Sequence, residues 1–306
     1  MNLKAVLGII FFILAFNTVN AQQSKEEHPD FSSIMPFYDS LKIYNKQLMN
    51  GKTEAERSQA SYNIIKAFSR SLRMENSFQF PFDSLNAISI LTPDNHKFRI
   101  FTWQLAHDNK TYRYFGVIQL NEEKPKIIPL VDYAPFYDQV EDVIVDGDRW
   151  IGALYYKIIP FAFGKDIFYA LLGWDGNNAM TNKKYIDILW FDKDGKAKFG
   201  YPIFDNIGDK NRCRILLEYK KDAVLSLTYD SEKKTIYYDH LVSLSGNNDL
   251  GAFDKVPDGT LEAFVLSKNG RWKHIDLVDY VKLKDGQAPN VSKVRMKQLY
   301  QPLPPR

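Results

Sequence analysis

Residues 97–120 read KFRIFTWQLAHDNKTYRYFGVIQL, and this stretch decides the fold class. Two runs rich in β-branched and aromatic residues flank the polar pair Asp108-Asn109, which predicts two strands joined by a turn. In the first run, residues suited to burial occupy both faces of the predicted strand: Phe98, Ile100 and Thr102 on one face, and Phe101, Trp103 and Leu105 on the other. Burial of both faces predicts stacked or covered sheets rather than one open layer.

Strand-like runs separated by short polar turns fill a predicted β domain over residues 81–281. The strongest hairpin signals are Asp194-Gly195 and Asn269-Gly270, because both residues of each pair tolerate a positive φ. Together the runs predict a mainly β domain built as an antiparallel meander. The candidate strands are residues 87–91, 97–105, 111–120, 126–131, 151–160, 166–173, 184–191, 196–203, 212–220, 222–229, 233–243, 260–267 and 271–277.

The candidate strands fall loosely into two groups of four, residues 87–131 and 151–203, followed by a set of five. This grouping leaves a β-propeller-like fold as an alternative to sandwich-like or curved sheets. A propeller usually carries a repeat of fixed period, and the sequence contains no such repeat. The sandwich-like arrangement is therefore the preferred prediction.

A helical hairpin is predicted over residues 36–80, before the β domain. Pro36 suits the first position of a helix because its φ is fixed. Thr53 and Glu56 have the spacing of a capping box, in which each side chain accepts a hydrogen bond from the other residue's amide. The expected buried stripes are Phe37, Leu41, Tyr44 and Leu48 in the first helix and Ala60, Ile64, Phe68 and Leu72 in the second.

The first 21 residues are typical of a cleavable secretory signal peptide. Lys4 supplies a positive charge, residues 5–16 are an unbroken apolar run, and Ala21 is a small residue at the expected cleavage point. The alternative is an uncleaved membrane anchor, but a spanning helix needs about 20 apolar residues. Cleavage would leave a polar leader at residues 22–35 of a periplasmic or secreted protein, with no later transmembrane segment.

The amino-acid composition limits the classes of partner that the protein is expected to bind. A formal net charge of +3 argues against a dedicated nucleic-acid binder. A local excess of basic residues lies in the Pro-rich C-terminal tail, residues 282–306. The only cysteine, Cys213, excludes an internal disulfide and a cysteine-based zinc site. A glycan, a peptide or a cell-envelope protein is the expected partner.

Motifs of the common catalytic classes are absent: the sequence has no GxSxG, HExxH, P-loop or GxGxxG. The five histidines are never two or four positions apart, so a metal site would have to be assembled from distant segments. The run that begins at Asp192 resembles the start of a calcium loop, but Ile203 stands where such a loop needs a bidentate acid. The prediction is no metal and no cofactor, with Ca²⁺ as an alternative at the loop described next.

The most unusual segment is LLGWDGNN, residues 171–178, in which a strand runs into a loop dense in Asp, Asn and Gly. An aromatic ring beside such polar groups can stack on a sugar and hydrogen-bond its hydroxyls, and the oxygen atoms could hold Ca²⁺. The alternative is a plain turn, in which Gly176 adopts a positive φ. The candidate ligand-binding residues are Trp174, Asp175, Gly176, Asn177 and Asn178.

Several stretches of the sequence resemble those of a known group of proteins. The run WIGALYYKIIP at residues 150–160, then residues 171–178, and also residues 98–119 with FTW and YFG, are similar to a group of uncharacterised secreted proteins from Bacteroidota. The resemblance covers most of residues 87–276. It implies export and lineage, and it implies no catalytic residues.

Two functions are consistent with these patterns. A β-rich, aromatic-rich and nearly neutral chain without a catalytic motif favours an exported, non-enzymatic binding or assembly module. The alternative is a secreted hydrolase that acts on a glycan or peptide through carboxylates brought together by the fold, such as Asp175 or Asp187. Two acids that face each other in a cleft would favour the hydrolase, and a flat aromatic face would favour binding.

Overall fold

The computed structural model describes residues 29–205, 207 and 212–276. The expected signal peptide at residues 1–21 and the expected basic tail at residues 282–306 lie outside these residues, and the polar leader is described only in its second half. In the described part of the chain, no helix is both long and apolar enough to cross a membrane.

Two helices joined by a short turn come first, as the sequence predicts. Helix α1 spans Met35–Asn50 and helix α2 spans Glu54–Ser71. The capping box is confirmed: the Thr53 hydroxyl accepts a hydrogen bond from the Glu56 amide at 3.2 Å, and the Glu56 carboxylate accepts one from the Thr53 amide at 3.4 Å. Of the predicted stripes, Phe37 and Tyr44 are half-buried and the rest are buried: Leu41, Leu48, Ala60, Ile64, Phe68 and Leu72.

The described residues form fifteen strands: β1 Ile88–Leu91, β2 Phe98–Ala106, β3 Tyr112–Leu120, β4 Lys126–Val131, β5 Val145–Asp146, β6 Leu154–Phe163, β7 Asp166–Asp175, β8 Thr181–Phe191, β9 Ala197–Phe199, β10 Phe204–Asp205, β11 Ile215–Lys220, β12 Leu227–Asp230, β13 Thr235–Ser243, β14 Lys255–Leu266 and β15 Trp272–Ile275. The first sheet has the order β1-β2-β3-β4. The second has the order β5-β9-β8-β7-β6, with β11 also paired to β8, and the third has the order β10-β15-β14-β13-β12. The paired strands are antiparallel except β10 and β15, which are parallel.

The helices and the three sheets are stacked as layers, which confirms the predicted sandwich-like fold class. The helical hairpin covers one face of the first sheet, and the second sheet covers the other face. The third sheet covers the opposite face of the second. Aromatic contacts mark the three interfaces: Phe68 with Trp103, Phe98 with Tyr169, and Phe161 with Trp272.

Strand β2 lies between two of these interfaces. Ile100 packs toward the second sheet, whereas Phe101 and Trp103 pack toward the helices. The Thr102 hydroxyl accepts a hydrogen bond from the Tyr155 amide at 3.2 Å, which links the first sheet to the second. The predicted burial of both strand faces is confirmed.

A buried arginine and its glutamine partner connect the end of helix α2 and the segment after it to the first sheet. The Arg99 guanidinium donates hydrogen bonds to the carbonyl oxygens of Ser77 and Phe80, both at 2.7 Å. It also donates to the Gln119 side chain at 2.7 and 3.1 Å, and the Gln119 amide donates to the carbonyl of Leu72, where the helix ends. Burial lowers the pKa of Arg99 to about 10.

A buried ion pair holds the second sheet to the segment that leads into it. The Arg214 Nε donates to Asp187 Oδ1 at 3.0 Å, and its guanidinium also donates to the Val143 carbonyl at 3.0 Å. The Tyr155 hydroxyl donates to Asp187 Oδ2 at 3.0 Å and accepts a hydrogen bond from the Trp150 indole at 2.9 Å. These side chains are fully buried and form part of the core.

Some strand limits differ from the sequence prediction. The strand predicted at residues 196–203 ends at Phe199, because Gly200 has a φ of +85°, a conformation that interrupts extended backbone and that glycine tolerates. The strand predicted at residues 222–229 begins only at Leu227.

Candidate functional site

The 174–178 loop joins strands β7 and β8 at one end of the second sheet. Asn177 takes the left-handed conformation, with a φ of +47°. A plain turn, the alternative for this loop, is expected to place Gly176 in that conformation, and this expectation is wrong, since Gly176 does not have a positive φ. Gly176 has a different constraint, because a Cβ atom there would lie 2.5 Å from the ring of Tyr112.

Asp175 is the polar side chain of this loop that the fold positions most firmly. Its Oδ1 accepts hydrogen bonds from the Tyr114 hydroxyl at 2.8 Å and from the Asn177 amide at 2.6 Å. The same Tyr114 hydroxyl accepts one from the Gly176 amide at 2.9 Å, so the first sheet orients a loop of the second. Asp175 is only 9% exposed, and none of the described residues donates a hydrogen bond to its Oδ2. That oxygen is available to a ligand donor.

The surroundings of Asp175 disfavour its charge. Burial raises the pKa of Asp175, against the hydrogen bonds from Asn177 and Tyr114, which lower it; the nearby Asp132 raises it further. Burial also holds the pKa of Tyr114 well above its usual value, so its hydroxyl stays a donor. Carboxyl groups with perturbed pKa values are concentrated at functional sites.

Trp174 does not share one platform with Asp175. Neighbouring residues of a strand point to opposite faces, and Asp175 faces Tyr114 of the first sheet. Trp174 instead lies beside Tyr219, which belongs to the core between the second and third sheets. Burial raises the pKa of Tyr219 to about 12, and the neighbouring Trp174 lowers it. The half-buried indole meets the ring of Tyr112 edge-on, with 6.2 Å between ring centroids.

The two asparagines of the loop are bonded within the protein. The Asn177 amide donates to the Thr181 hydroxyl at 2.6 Å and to the Glu218 carboxylate at 3.0 Å. The Asn178 side-chain oxygen accepts hydrogen bonds from the amides of Met180 at 2.7 Å and Thr181 at 3.0 Å, as in an Asx turn. These hydrogen bonds hold the loop in one conformation. The Asn178 side chain stabilises the turn and is not directed to a ligand.

The site also contains side chains that the sequence patterns do not predict, namely Lys221, Tyr112 and Tyr114. The Lys221 ammonium donates to the Gly176 carbonyl at 2.8 Å and lies 5.3 Å from the centroid of the Tyr112 ring. Tyr112 and Tyr114 come from β3, and Lys221 follows β11. No local signal marks these residues, because the pairing and stacking of distant strands bring them together.

A second carboxylate, that of Asp132, contacts the backbone of Tyr114. Asp132 accepts hydrogen bonds from the backbone amides of Tyr114 at 3.1 Å, Ala134 at 3.1 Å and Gly152 at 3.2 Å. Burial nevertheless raises its pKa. Tyr114 therefore contacts two carboxylates, Asp132 through its backbone amide and Asp175 through its hydroxyl. Burial disfavours the charged form of both acids.

Asp187, the other acid that the sequence suggests for a hydrolase, is not brought to this site. Its carboxylate is fully buried and is paired with Arg214 at 3.0 Å. We assign it to the structural core.

An exposed aromatic pair follows Asp132 in the chain. Tyr133 is 37% exposed and Phe136 is 70% exposed, and their ring centroids are 4.3 Å apart. Tyr133 and Phe136 are not among the candidate residues predicted above. The sequence does carry a signal for them, since the connection between β4 and β5 contains three aromatic residues in the five-residue run YAPFY.

A group of side chains with the spacing of metal ligands lies at the third sheet, away from this loop. Among the described residues, one group of three donor side chains has its ligand atoms within 4.8 Å of one another: Glu262, His274 and Asp276, of the third sheet and the residue after it. The 174–178 loop is not part of that group.

The sequence matches no protein-family model, and neither curated proteins nor solved structures yield a match. Function is therefore inferred from the geometry of the site itself.

Proposed function

We propose that the chain is an exported, non-enzymatic binding module and that the 174–178 loop contacts its ligand. Asp175 carries the proposal. Its carboxylate is mostly buried, fixed through Oδ1 by Tyr114 and Asn177, and receives no hydrogen bond at Oδ2 from the described residues. An acceptor fixed in this way is pre-organised for a ligand with hydroxyl or amide donors.

The chemistry around Asp175 favours a glycan as the ligand. A carboxylate can accept hydrogen bonds from sugar hydroxyls, and the half-buried rings of Tyr112 and Trp174 lie beside the loop. Binding sites generally combine apolar walls with a few well-placed polar groups. The exposed pair Tyr133 and Phe136 adds aromatic surface after the neighbouring Asp132. A peptide or a cell-envelope protein is the other expected partner class.

Binding of the purified protein to a glycan array and to isolated cell-wall sacculi tests this proposal. The variant Asp175→Asn should weaken binding about tenfold or more, because a hydrogen bond to a charged group is worth about 1.5–3 kcal/mol. The double variant Trp174→Ala/Asn177→Ala should also lose binding. Asp222→Asn is the matched control. Asp222 directly follows Lys221 of the site in the sequence, but its carboxylate is 86% exposed.

Variants that retain the wild-type affinity for every bound glycan would contradict the proposal. Circular dichroism melting of each variant separates loss of binding from loss of fold. Binding to peptides but not to glycans would keep the site and change the ligand class.

A hydrolase is the second candidate, and one observation favours it. Asp132 and Asp175 both have raised pKa values, and the charge of Asp132 raises the pKa of Asp175. Repulsion between two carboxylates favours the state in which one is protonated and the other is charged, and such a pair can supply a general acid and a base. Incubation with the same glycans and peptides, followed by assays for new reducing ends and new amino groups, tests this function. Turnover that Asp175→Asn abolishes would replace the binding module by an enzyme.

A further inference from the structure

Titratable side chains gather at the rim of the third sheet, on the face that packs against the second. Tyr238 of β13 lies directly opposite Glu262 of β14. His274 of β15 lies opposite Phe264, which is on the same face of β14 as Glu262. Asp276 follows the end of β15. Three adjacent strands thus bring these groups to one place.

The donor atoms are close to one another. Glu262 Oε2 is 2.6 Å from His274 Nε2, and His274 Nδ1 is 3.4 Å from Asp276 Oδ1. One ligand atom from each residue lies within 4.8 Å of the other two. The His274 side chain is 8% exposed and that of Asp276 is 86% exposed, so the group lies partly inside the protein and opens to solvent on one side.

Neighbouring side chains hold Glu262 in place. The Tyr238 hydroxyl donates to Glu262 Oε2 at 2.6 Å, and His240 Nδ1 contacts the other carboxylate oxygen, Oε1. The His274 ring is also stacked against Tyr238, with 6.3 Å between centroids. Outer partners of this kind orient the residues that bind a metal and are part of most metal sites.

We propose that Glu262, His274 and Asp276 form a binding site for a transition-metal dication, with Zn²⁺ as the preferred ion. Imidazole nitrogen together with carboxylate oxygen suits Zn²⁺, whereas Ca²⁺ and Mg²⁺ prefer oxygen donors alone. Two carboxylates balance the charge of the ion. Ligand bonds of about 2.0–2.2 Å in a tetrahedral site separate the donor atoms by about 3.4 Å. An ion at His274 Nε2 would replace the hydrogen bonds that Glu262 and the Tyr238 hydroxyl make there, so the 2.6 Å contact between Glu262 Oε2 and His274 Nε2 would widen to about that value. The exposed Asp276, which now lies beside Nδ1 of the same ring, would turn toward the ion. Three protein ligands leave a fourth position open to water.

The untagged full-length protein, stripped with a chelator, provides the test. We expect titration with zinc chloride in a calorimeter to give one ion per chain, and excess CaCl₂ not to compete. Co²⁺ in place of Zn²⁺ should give visible absorption bands from mixed nitrogen and oxygen ligation. Asp276→Asn should lower the Zn²⁺ affinity at least about tenfold, and His274→Gln should abolish binding at this site.

His107→Gln is the control variant, because His107 Nδ1 also lies beside one carboxylate, 2.8 Å from Glu54 Oε1, but the described residues supply no third ligand there. It should bind Zn²⁺ like the wild type. Absence of stoichiometric binding, or equal affinities for wild type and Asp276→Asn, would overturn the site. The Asp276 variant decides the matter because its exposed side chain can be changed without unfolding the protein, which a thermal melt of the metal-free form verifies.

Discussion

Asp175 occupies a position where its charge is unfavourable to the fold. Burial holds the pKa of folded-state Asp175 above its usual 3.8. A group with a raised folded-state pKa contributes stability below its unfolded-state pKa, and that contribution is lost as the pH rises through the folded-state value. At neutral pH, the buried charge therefore costs stability, which fits a residue retained for binding.

We predict that Asp175→Asn raises the free energy of unfolding at pH 7 relative to the wild type. The amide oxygen of asparagine can still accept the hydrogen bonds from Tyr114 and Asn177, and the buried charge is gone. The difference between variant and wild type should shrink as the pH falls through the raised folded-state pKa, and it should stay constant below the unfolded-state value of about 4. Urea unfolding at pH 7, 5 and 3 checks both statements. A variant that is less stable than wild type at pH 7 would contradict them.

Gly176 gives a second prediction at the residue scale. Gly176→Ala should cost about 1–3 kcal/mol of stability, because its Cβ would overlap the ring of Tyr112 and overpacking has costs of that size. In a Tyr112→Ala background the same change should cost much less. Denaturant unfolding of the two single variants and the double variant gives the coupling energy directly. Equal costs in both backgrounds would mean that the ring contact is not the cause.

At the scale of single elements, helix α2 is defined at both ends by polar groups. The Thr53–Glu56 capping box satisfies amide donors at its start. At its end, the Leu72 carbonyl accepts a hydrogen bond from Gln119 of the first sheet, and Gln119 in turn accepts from Arg99. The helix is therefore both started and docked by specific hydrogen bonds, in addition to its apolar face.

Thr53→Ala should lower stability by about 1 kcal/mol, because the Glu56 amide loses its side-chain partner. Thermal or urea unfolding measures the change. Gln59→Ala, at an exposed position of the same helix, is the control and should change stability by no more than a few tenths of a kcal/mol. A larger loss from Gln59 than from Thr53 would exclude the capping explanation.

At the scale of the molecule, the second sheet is the central layer, with the first sheet on one face and the third on the other. Its buried charges lie on the side of the first sheet, where Asp187 meets Tyr155 and Arg214. Arg214 also reaches the carbonyl of Val143 in the segment before β5. One guanidinium thus links the central layer to a distant part of the chain.

Arg214→Met should cost about 3–5 kcal/mol, because it leaves the Asp187 carboxylate buried without its partner. The double variant Asp187→Asn/Arg214→Met should cost less than the sum of the single changes, since no uncompensated charge remains. Guanidinium unfolding of the four proteins measures the coupling. Additive losses would mean that the two charges do not interact in the folded protein.

Features that depend on residues near in sequence were predictable. The capping box follows from Thr53 and Glu56, three positions apart. The hairpin turns at Gly195 and Gly270 have φ values of +74° and +81°, as their turn dipeptides indicate. Apolar alternation in β2 predicted the covering of both faces and hence the stacked layers.

The candidate sites were only partly predictable, because their contacts join distant segments. Asp175 was identified from its loop, but its main partner Tyr114 is 61 positions away. Glu262 and His274 are 12 positions apart and meet only because β14 pairs with β15. Spacing along the chain carries no trace of such pairs unless the strand order is known.

Strand β2 is apolar on both faces, so a shift of one residue along β3 would still bury apolar side chains. Hydrophobic burial alone therefore does not select the register of this pair. Arg99 and Gln119 do so, because they lie directly opposite each other and are bonded to each other. In that alignment the guanidinium also bonds the Ser77 carbonyl, and Gln119 bonds the Leu72 carbonyl at the end of helix α2. We expect Gln119→Leu to give more than one set of amide resonances for the first sheet, as slipped pairings become comparable in free energy. The polar pair inside this core would thus select one register of the strands, a role separate from any contribution to stability.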